Sequence, residues 1–308
     1  MICDNVMEAI GSTPLIKLNR VVRPGDARVV VKFEAVNVGG SIKTRTAYNM
    51  IKQAMARGDI DENSIIVEPT SGNQGIGLAL VCAAMGLKSR IIMPDSVSEE
   101  RRKIVSIYGS ELVLVHDAGN IGECISKCIS IASQMAANDP RVFIPQQFEN
   151  PDNVSAQVDG TAAEILKQMD GPIDGFCSGV GTGGTLTGCG KVFKQANPDI
   201  KIWVAEPENA AILSGGKVGT HMQMGIGDGI IPKILDRSIY DRIVKVSDEQ
   251  AIEMSRRLAR EEGLLCGISS GSNVVCALEL AHELGPGKTV VTILPDTGER
   301  YFSTPLFD

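Results

Sequence analysis

Short apolar runs rich in β-branched residues alternate with helical patterns along most of this chain. The runs are SIIVE (64–68), SRIIMP (89–94), ELVLV (111–115), RVFIP (141–145), DGFCSGV (174–180), KIWVAEP (201–207) and TVVTILP (289–295). The patterns between them predict helices over 75–86, from Glu99, over 120–136 and over 185–196. Strands separated by helices of about 10–15 residues form right-handed βαβ units, so the chain is predicted to adopt an α/β fold with parallel sheets.

One further helix is predicted over 248–262 by signals at both of its ends. Ser247 and Gln250 match a capping box, and Gly263 suits the position just after the last turn. The apolar residues between them recur at helical spacing.

The polar segment PQQFENPDNV, near 145–155, carries two prolines and is the predicted boundary between two α/β lobes. We expect an N-terminal lobe over 1–145, whose residues from about 40 to 145 include a smaller mobile subdomain. A C-terminal lobe over 146–308 follows, with about 12–36 packing onto it. The 308 residues suffice for two such lobes with buried cores. A small ligand would then lie in the cleft between the lobes.

Composition excludes several classes of function. The net charge of −7 and the lack of a basic run argue against nucleic acid. The longest apolar stretch, around 76–87, is shorter than the roughly 18 residues of a membrane span, and the N-terminus has no signal-peptide pattern. The eight cysteines lack metal-type spacing and the three histidines lie far apart, so we expect no metal site, and free thiols in the cytoplasm.

Lys43 stands in NVGGSIKTR (37–45), where two glycines and a serine lead into an amphipathic helix. The helix dipole disfavours a cation at this end. A solvated surface lysine is the commonest interpretation of such a residue, and the neighbouring sequence alone does not decide against it.

The glycine-rich segment SGVGTGGTLTG (178–188) follows an apolar strand and leads into a helix. Its amides can surround a phosphate at the helix N-terminus. Gly179, Gly181 and Gly184 also match G-x-G-x-x-G, with Glu206 near the acidic position of a dinucleotide fold, so an NAD-dependent oxidoreductase is a competing interpretation. A turn that serves only helix–sheet packing is the third.

Three other segments place polar residues next to a predicted strand end or helix start. EPTSGNQGIGLAL (68–80) gathers hydroxyls and amides that favour an anion such as a carboxylate, although Thr70 or Ser71 could be a plain helix cap. CGISSGSNVV (266–275) is open to the same capping interpretation at Ser269 or Ser270. LPDTGERY (294–301) places Asp296 at the carboxyl end of a strand, where α/β sheets hold ligands.

Together these segments resemble the cysteine synthase family, which includes O-acetylserine sulfhydrylases and the catalytic core of cystathionine β-synthase. The matching motifs run in order over essentially the whole chain and are jointly specific. They are GSTPLIKL (11–18), NVGGSIKTR, EPTSGNQGIGLA, PQQFENPDN (145–153), GVGTGGTLTG (179–188), GISSG (267–271) and LPDTGERY.

This resemblance implies a fold-type II pyridoxal phosphate (PLP) enzyme, with two three-layer α/β/α lobes and the site in the cleft between them. Lys43 would form the Schiff base and act as base and acid on the substrate Cα, its pKa lowered by burial. The remaining cofactor contacts implied are Asn73 at the 3′-oxygen, Ser269 at the pyridine nitrogen, Asp296, and Gly181, Thr182, Gly183, Gly184 and Thr185 at the phosphate. The substrate contacts implied are Thr70, Ser71, Asn73, Gln74, Gln147 and Gly225. A homodimer is implied as well.

The implied reaction is β-replacement through an aminoacrylate, with O-acetyl-L-serine and sulfide giving L-cysteine and acetate. Three departures from the family pattern leave this open: Thr44 after the lysine, Gln74 in the carboxylate turn, and Asp228, where the family most often has a small residue. Asp228 could be a solvated loop residue. If it lies beside the intermediate, it could activate water, so that cysteine yields sulfide and L-serine. Condensation with a second thiol, as in cystathionine synthesis, is the third alternative.

Overall fold

The computed structural model describes residues 2–119 and 121–308, and within them the strands form two separate sheets. The larger sheet has the order β1-β2-β10-β7-β8-β9. Its strands are β1 (Leu15–Lys17), β2 (Arg28–Phe33), β7 (Gly175–Gly179), β8 (Lys201–Pro207), β9 (Arg242–Val246) and β10 (Thr289–Leu294). β1 pairs antiparallel with β2, and all other neighbours are parallel.

The smaller sheet has the order β5-β4-β3-β6 and is parallel throughout. Its strands are β3 (Ile65–Pro69), β4 (Lys88–Pro94), β5 (Glu111–Val115) and β6 (Val142–Phe143). Parallel strands need crossover connections, and the helices between them provide these.

The helices cover the faces of both sheets. Their bounds are α1 (Lys43–Arg57), α2 (Asn73–Met85), α3 (Glu99–Ile107), α4 (Ile121–Asn138), α5 (Pro151–Ala156), α6 (Ala163–Gln168), α7 (Gly184–Ala196), α8 (Asp248–Glu262) and α9 (Ile268–Leu284). A π-helical segment, Gln157–Ala162, joins α5 to α6. Among the described residues, no helix is long and apolar enough to cross a membrane.

Each sheet has a buried apolar cluster on both of its faces, which gives two three-layer units. Against the larger sheet, one cluster includes Val29 and Leu280 and the other includes Phe176 and Phe193. The smaller sheet has the same arrangement. The predicted α/β fold with mainly parallel sheets in two lobes is confirmed.

The structure agrees with the predicted elements and adds strands that the pattern did not indicate. The predicted capping box is present. The Ser247 side chain accepts from the Gln250 backbone N–H, and the Gln250 side chain accepts from the Ser247 backbone N–H. The run at 141–145 forms a strand of only two residues. β1, β2 and β9 were not predicted, although β2 is the link between the antiparallel edge strand and β10.

Candidate active site

A cleft of about 860 Å³, including its open mouth, lies at the carboxyl ends of strands from both sheets. Residues of its walls follow β3, β7 and β10 in the chain. They therefore lie at the carboxyl ends of these strands, where open α/β sheets hold ligands. Its lining includes Lys43, Thr70, Ser71, Asn73, Gln74, Gln147, Gly181, Thr182, Gly183, Thr185, Gly225, Asp228 and Ser269. The structure therefore brings together nearly all of the residues singled out from the sequence.

Lys43 is the first residue of α1 and is half-buried at the cleft wall. Its Nζ lies 3.5 Å from Thr182 Oγ1, on the glycine-rich loop of the other lobe. Burial lowers the pKa of the Lys43 ammonium, and attraction to Asp228 offsets part of that effect. A lowered pKa favours the uncharged amine, which is a nucleophile and a base, whereas a solvated surface lysine is protonated.

The glycine-rich loop joins β7 to α7 and turns tightly at Gly183, whose φ of +83° lies in the left-handed region. Neighbouring atoms leave no room for side chains here. A Cβ at Gly181 would lie 2.1 Å from the Gly225 carbonyl oxygen, and one at Gly184 would lie 2.1 Å from Asn153 Oδ1. Asn153 also donates to Thr182 Oγ1 over 2.9 Å. The amides at this helix start can therefore approach an anion closely.

The turn over 70–74 connects β3 to α2 and holds its polar groups towards the cleft. Thr70 Oγ1 accepts from the Gly72 amide over 3.2 Å, and the helix cap is Gly72 without a side-chain cap bond. The plain capping interpretation of Thr70 or Ser71 is therefore wrong. Gln74 is 1% exposed, and within the described chain neither atom of its amide has a hydrogen-bond partner.

Gln147 reaches the cleft because a buried carboxylate holds the segment before it. Glu68 accepts the backbone N–H groups of Gln146 and Gln147, both over 3.1 Å. Gln146 has a φ of +56°, a conformation in which residues other than glycine are uncommon. Burial raises the pKa of Glu68 to about 8, and the two N–H groups act in the opposite direction. Glu68 was missed from the sequence, where it ends an apolar run and gives no sign of its partners.

Asp296 lies behind the cleft and supports Asn73. Its Oδ2 accepts from Asn73 Nδ2 over 2.7 Å and from the Tyr301 hydroxyl over 2.9 Å. Arg300 donates to Asn73 Oδ1. These contacts fix the Asn73 amide with one N–H left to donate into the cleft.

Ser269 lies at the cleft in the first turn of α9, and it is not a cap. The cap residue is Gly267, without a side-chain cap bond, and both Ser269 and Ser270 are inside the helix. The capping interpretation of these serines is wrong, and a neutral hydroxyl at Ser269 faces the site.

Asp228 lines the cleft in a loop whose glycines Gly225, Gly227 and Gly229 all have positive φ. Burial raises the pKa of the Asp228 carboxyl, while His221, Lys43 and the Ser71 hydroxyl act to lower it. Asp228 is thus part of the site and not a solvated loop residue.

Glu206, the acidic residue of the dinucleotide interpretation, is already engaged. Its carboxylate accepts from the Leu213 amide over 2.6 Å and from the Ser214 amide and hydroxyl over 3.2 and 2.6 Å. It is 3% exposed and its oxygens stabilise that turn, so they do not face a ribose. The glycine-rich loop is left without the acidic partner that NAD binding needs.

The residues of the cleft fit the PLP that the resemblance implies. The Lys43 amine of lowered pKa fits the aldehyde, and the glycine-rich loop without Cβ atoms fits the phosphate. The fixed amide donor at Asn73 fits the ring oxygen, and the hydroxyl at Ser269 fits the ring nitrogen. Of the residues predicted from the sequence, Gly184 and Asp296 do not line the cleft, and they support it from behind.

The chain matches the family model described as "Pyridoxal-phosphate dependent enzyme" over residues 6–296. A curated cysteine synthase from Staphylococcus aureus strain Mu50 is 50% identical over 305 residues, which cover 99% of this chain and 97% of the relative.

Two solved structures superpose closely on the whole chain. An O-ureido-L-serine synthase has a TM-score of 0.94 at 41% identity, with 100% of this chain and 96% of that one covered. A hydrogen sulfide-producing enzyme from Fusobacterium nucleatum has a TM-score of 0.92 at 38% identity, with 98% and 100% covered.

Proposed function

Because the chain belongs to the pyridoxal-phosphate dependent enzymes, we propose that it is a cysteine synthase that converts O-acetyl-L-serine and sulfide to L-cysteine and acetate. It is a PLP-dependent enzyme of the β-replacement type. The observation that carries the proposal is the position of the Lys43 amine, between the glycine-rich loop and the turn over 70–74. The 50% identity to a cysteine synthase over the full chain supports the choice of reaction.

The residues of the cleft divide into a cofactor side and a substrate side. PLP, when bound, supplies the electron-withdrawing ring that makes the substrate Cα proton acidic. We assign Lys43 Nζ as the group that holds the cofactor and then takes and returns the Cα proton. Gly181, Thr182, Gly183, Gly184 and Thr185 hold the phosphate, Asn73 donates to the ring oxygen, and Ser269 meets the ring nitrogen.

The substrate side is assigned to the turn over 70–74 together with Gln147 and Gly225. The hydroxyls of Thr70 and Ser71, with the amides at the start of α2, bind the α-carboxylate. Gln74 also lines the cleft, and both atoms of its buried amide are without a hydrogen-bond partner within the described chain, so it has hydrogen-bonding capacity that a bound substrate can use. Closure of the smaller lobe, about 40–145, over this carboxylate would exclude water from the site.

The reaction is tested with the purified holoenzyme and its Lys43→Ala variant. O-acetyl-L-serine with sulfide should yield cysteine and acetate at equal rates with the native protein. Lys43→Ala should abolish turnover and the visible absorption band that borohydride reduction bleaches in the native protein. Lys52→Ala, further along the same helix, is the matched control and should behave like the native chain. Native protein that carries the cofactor and forms no cysteine would refute the synthase assignment.

Asp228 favours a second candidate, the hydrolysis of L-cysteine to sulfide and L-serine. A carboxyl that lines the cleft, as that of Asp228 does, can take a proton from water once it is ionised. The sulfide-producing relative from Fusobacterium nucleatum, similar over nearly the whole chain, is consistent with such a reaction.

The two candidates separate when cysteine is supplied alone. If hydrolysis occurs, serine and sulfide form in equal amounts, and their rate increases with pH as Asp228 loses its proton. Asp228→Asn should remove that activity while synthesis persists, and Asp199→Asn, an exposed aspartate after α7, should change neither. No serine from cysteine at any pH at which the protein is folded would eliminate hydrolysis.

We further propose that the enzyme is a homodimer that acts in the cytoplasm. The aromatic pair Phe302 and Phe307, with ring centroids 4.7 Å apart, is 58% and 42% exposed, and these adjacent apolar side chains offer a contact for a second copy of the chain. All eight cysteines are free thiols, as in reducing compartments. Light scattering of the native protein should give about twice the mass of one 32.7 kDa chain, and Phe302→Ser should weaken the association. A native mass of one chain would refute the dimer.

A further inference from the structure

Arg101 on α3 is a buried cation that packs against the back of the substrate turn. Its side chain is 1% exposed, and a Cβ placed on Gly72 would lie 3.5 Å from its Nε. Gly72 is the cap residue of α2, between the residues assigned to the α-carboxylate. The guanidinium is therefore separated from the carboxylate position by the backbone of the turn.

The guanidinium also contacts the other lobe. Arg101 Nη1 donates to Ser98 Oγ over 2.9 Å on its own side and lies 3.1 Å from Met224 Sδ, next to the Asp228 loop. The Cζ atom of Arg101 lies 4.5 Å from the centre of the Tyr301 ring. One side chain thus joins α3, the loop before Asp228 and the segment after β10.

Positive charge exceeds negative charge in this buried region. Arg300 is 2% exposed and donates to the Asn73 side chain and the Gly39 carbonyl, both of them uncharged acceptors. Asp296 is the carboxylate that approaches Arg101, at 3.8 Å. Burial lowers the pKa of the Arg300 guanidinium, and repulsion from Arg101 adds to that effect although Asp296 opposes it.

Two buried guanidiniums therefore share one carboxylate, so that one positive charge is left over within the part of the chain that the structure describes. A buried ion without a partner is costly, and it attracts an anion to the nearest accessible position. The accessible position on the other side of Gly72 is the turn with the unpartnered amide of Gln74.

We propose that Arg101 is a positioning residue that selects the ionised α-carboxylate of the substrate by holding an excess positive charge behind the turn over 70–74. It touches neither substrate nor cofactor, and acts through Gly72 and through the charge that it contributes. The inference rests on the proposed function only for the location of the carboxylate, since it concerns binding and not turnover.

The test compares two ligands that differ only in charge at one group. L-serine and L-serinamide are titrated into the holoenzyme, and the change in cofactor absorbance gives a dissociation constant for each. Arg101→Gln should weaken the binding of L-serine by about 10- to 100-fold, the range expected for removing one charge several ångströms away at intermediate dielectric. The binding of L-serinamide should change less than threefold, so the preference for the acid falls.

A merely structural role predicts a different result, because a loosened turn would weaken both ligands alike and leave their ratio unchanged. That outcome overturns the proposal. Arg101→Lys keeps the charge and should keep most of the preference. Lys103→Gln removes an exposed charge from the same helix, one paired with Glu99 at 2.9 Å, and should not change the ratio.

A second variant keeps the proposal testable if Arg101→Gln does not fold. Asp296→Asn removes the carboxylate that offsets the two guanidiniums, so the preference for L-serine over L-serinamide should increase. An unchanged or decreased ratio in that variant refutes the charge argument. If the native protein binds L-serine with this preference but makes no cysteine, the proposed function fails and the role of Arg101 stands.

Discussion

The substitution Glu68→Gln should destabilise the protein at acidic pH and stabilise it at alkaline pH. Glu68 is 1% exposed, and burial raises its pKa from an ordinary 4.5 to about 8. A carboxyl whose pKa is higher in the folded state stabilises the protein fully below the unfolded pKa, and that stability is lost as pH rises to the folded pKa. The window for this loss therefore runs from about pH 4.5 to 8.

The size of the effect follows from the same interval. At about 1.4 kcal/mol for each pH unit, the native protein loses up to about 5 kcal/mol of unfolding free energy across the window because of this one group. Glutamine has no such dependence. Its amide nitrogen would face one of the two backbone N–H groups of Gln146 and Gln147, so the variant loses about 1 kcal/mol of hydrogen bonding at any pH.

Urea unfolding of both holoproteins, from pH 4 to 9, measures the difference. At pH 4 the variant should be less stable than the native protein by about 1 kcal/mol, and at pH 8.5 it should be more stable by about 2–4 kcal/mol. Glu208→Gln, at an exposed glutamate after β8, should follow the native curve. A difference between native protein and Glu68→Gln that stays constant across this range would refute the reasoning.

Other substitutions test the local arguments. Ser247→Ala removes the side-chain half of the capping box of α8 and should lower the unfolding free energy by about 0.5–2 kcal/mol, measured by urea denaturation. Leu280→Ala empties a fully buried position against Gly175 in β7 and should cost about 2–5 kcal/mol in the same assay. Gly181→Ala places a Cβ 2.1 Å from the Gly225 carbonyl oxygen, so the apoprotein should lose at least tenfold in PLP affinity by fluorescence titration while its fold by circular dichroism is unchanged.

The sequence predicts the strands and helices that carry a clear period, and it fails where a charge is buried by distant partners. β2 reads RVVVKF, and Lys32 interrupts its apolar run. In the structure Lys32 is fully buried because it donates to the Thr13 carbonyl and pairs with Glu164, residues that are remote in sequence. The burial of Lys32 could not be predicted from the sequence, because its acceptors come close to it only in the folded chain.

In the site, too, features that depend on local sequence could be predicted, and features that depend on distant partners could not. The glycine-rich loop and the turn over 70–74 could be predicted, because their glycines and hydroxyls serve the backbone locally. Glu68 and Arg101 could not, since one ends an apolar strand and the other lies in the polar helix sequence EERRK. Their importance comes from contacts with residues remote in sequence. Glu68 holds the backbone of Gln146 and Gln147, just after the neighbouring strand β6, and Arg101 contacts Met224 in the other lobe.

Asp228 is the residue that separates the two proposed reactions, synthesis and hydrolysis, and its surroundings bear on both. A carboxylate beside the reacting carbon would repel hydrosulfide, an anion, which argues against synthesis at such a site. Burial raises the pKa of Asp228, however, and a protonated carboxyl neither repels an anion nor takes a proton from water. The burial that lowers the pKa of Lys43 therefore favours the protonated form of Asp228, which is compatible with synthesis, and only the ionised form has the chemistry of a hydrolytic base.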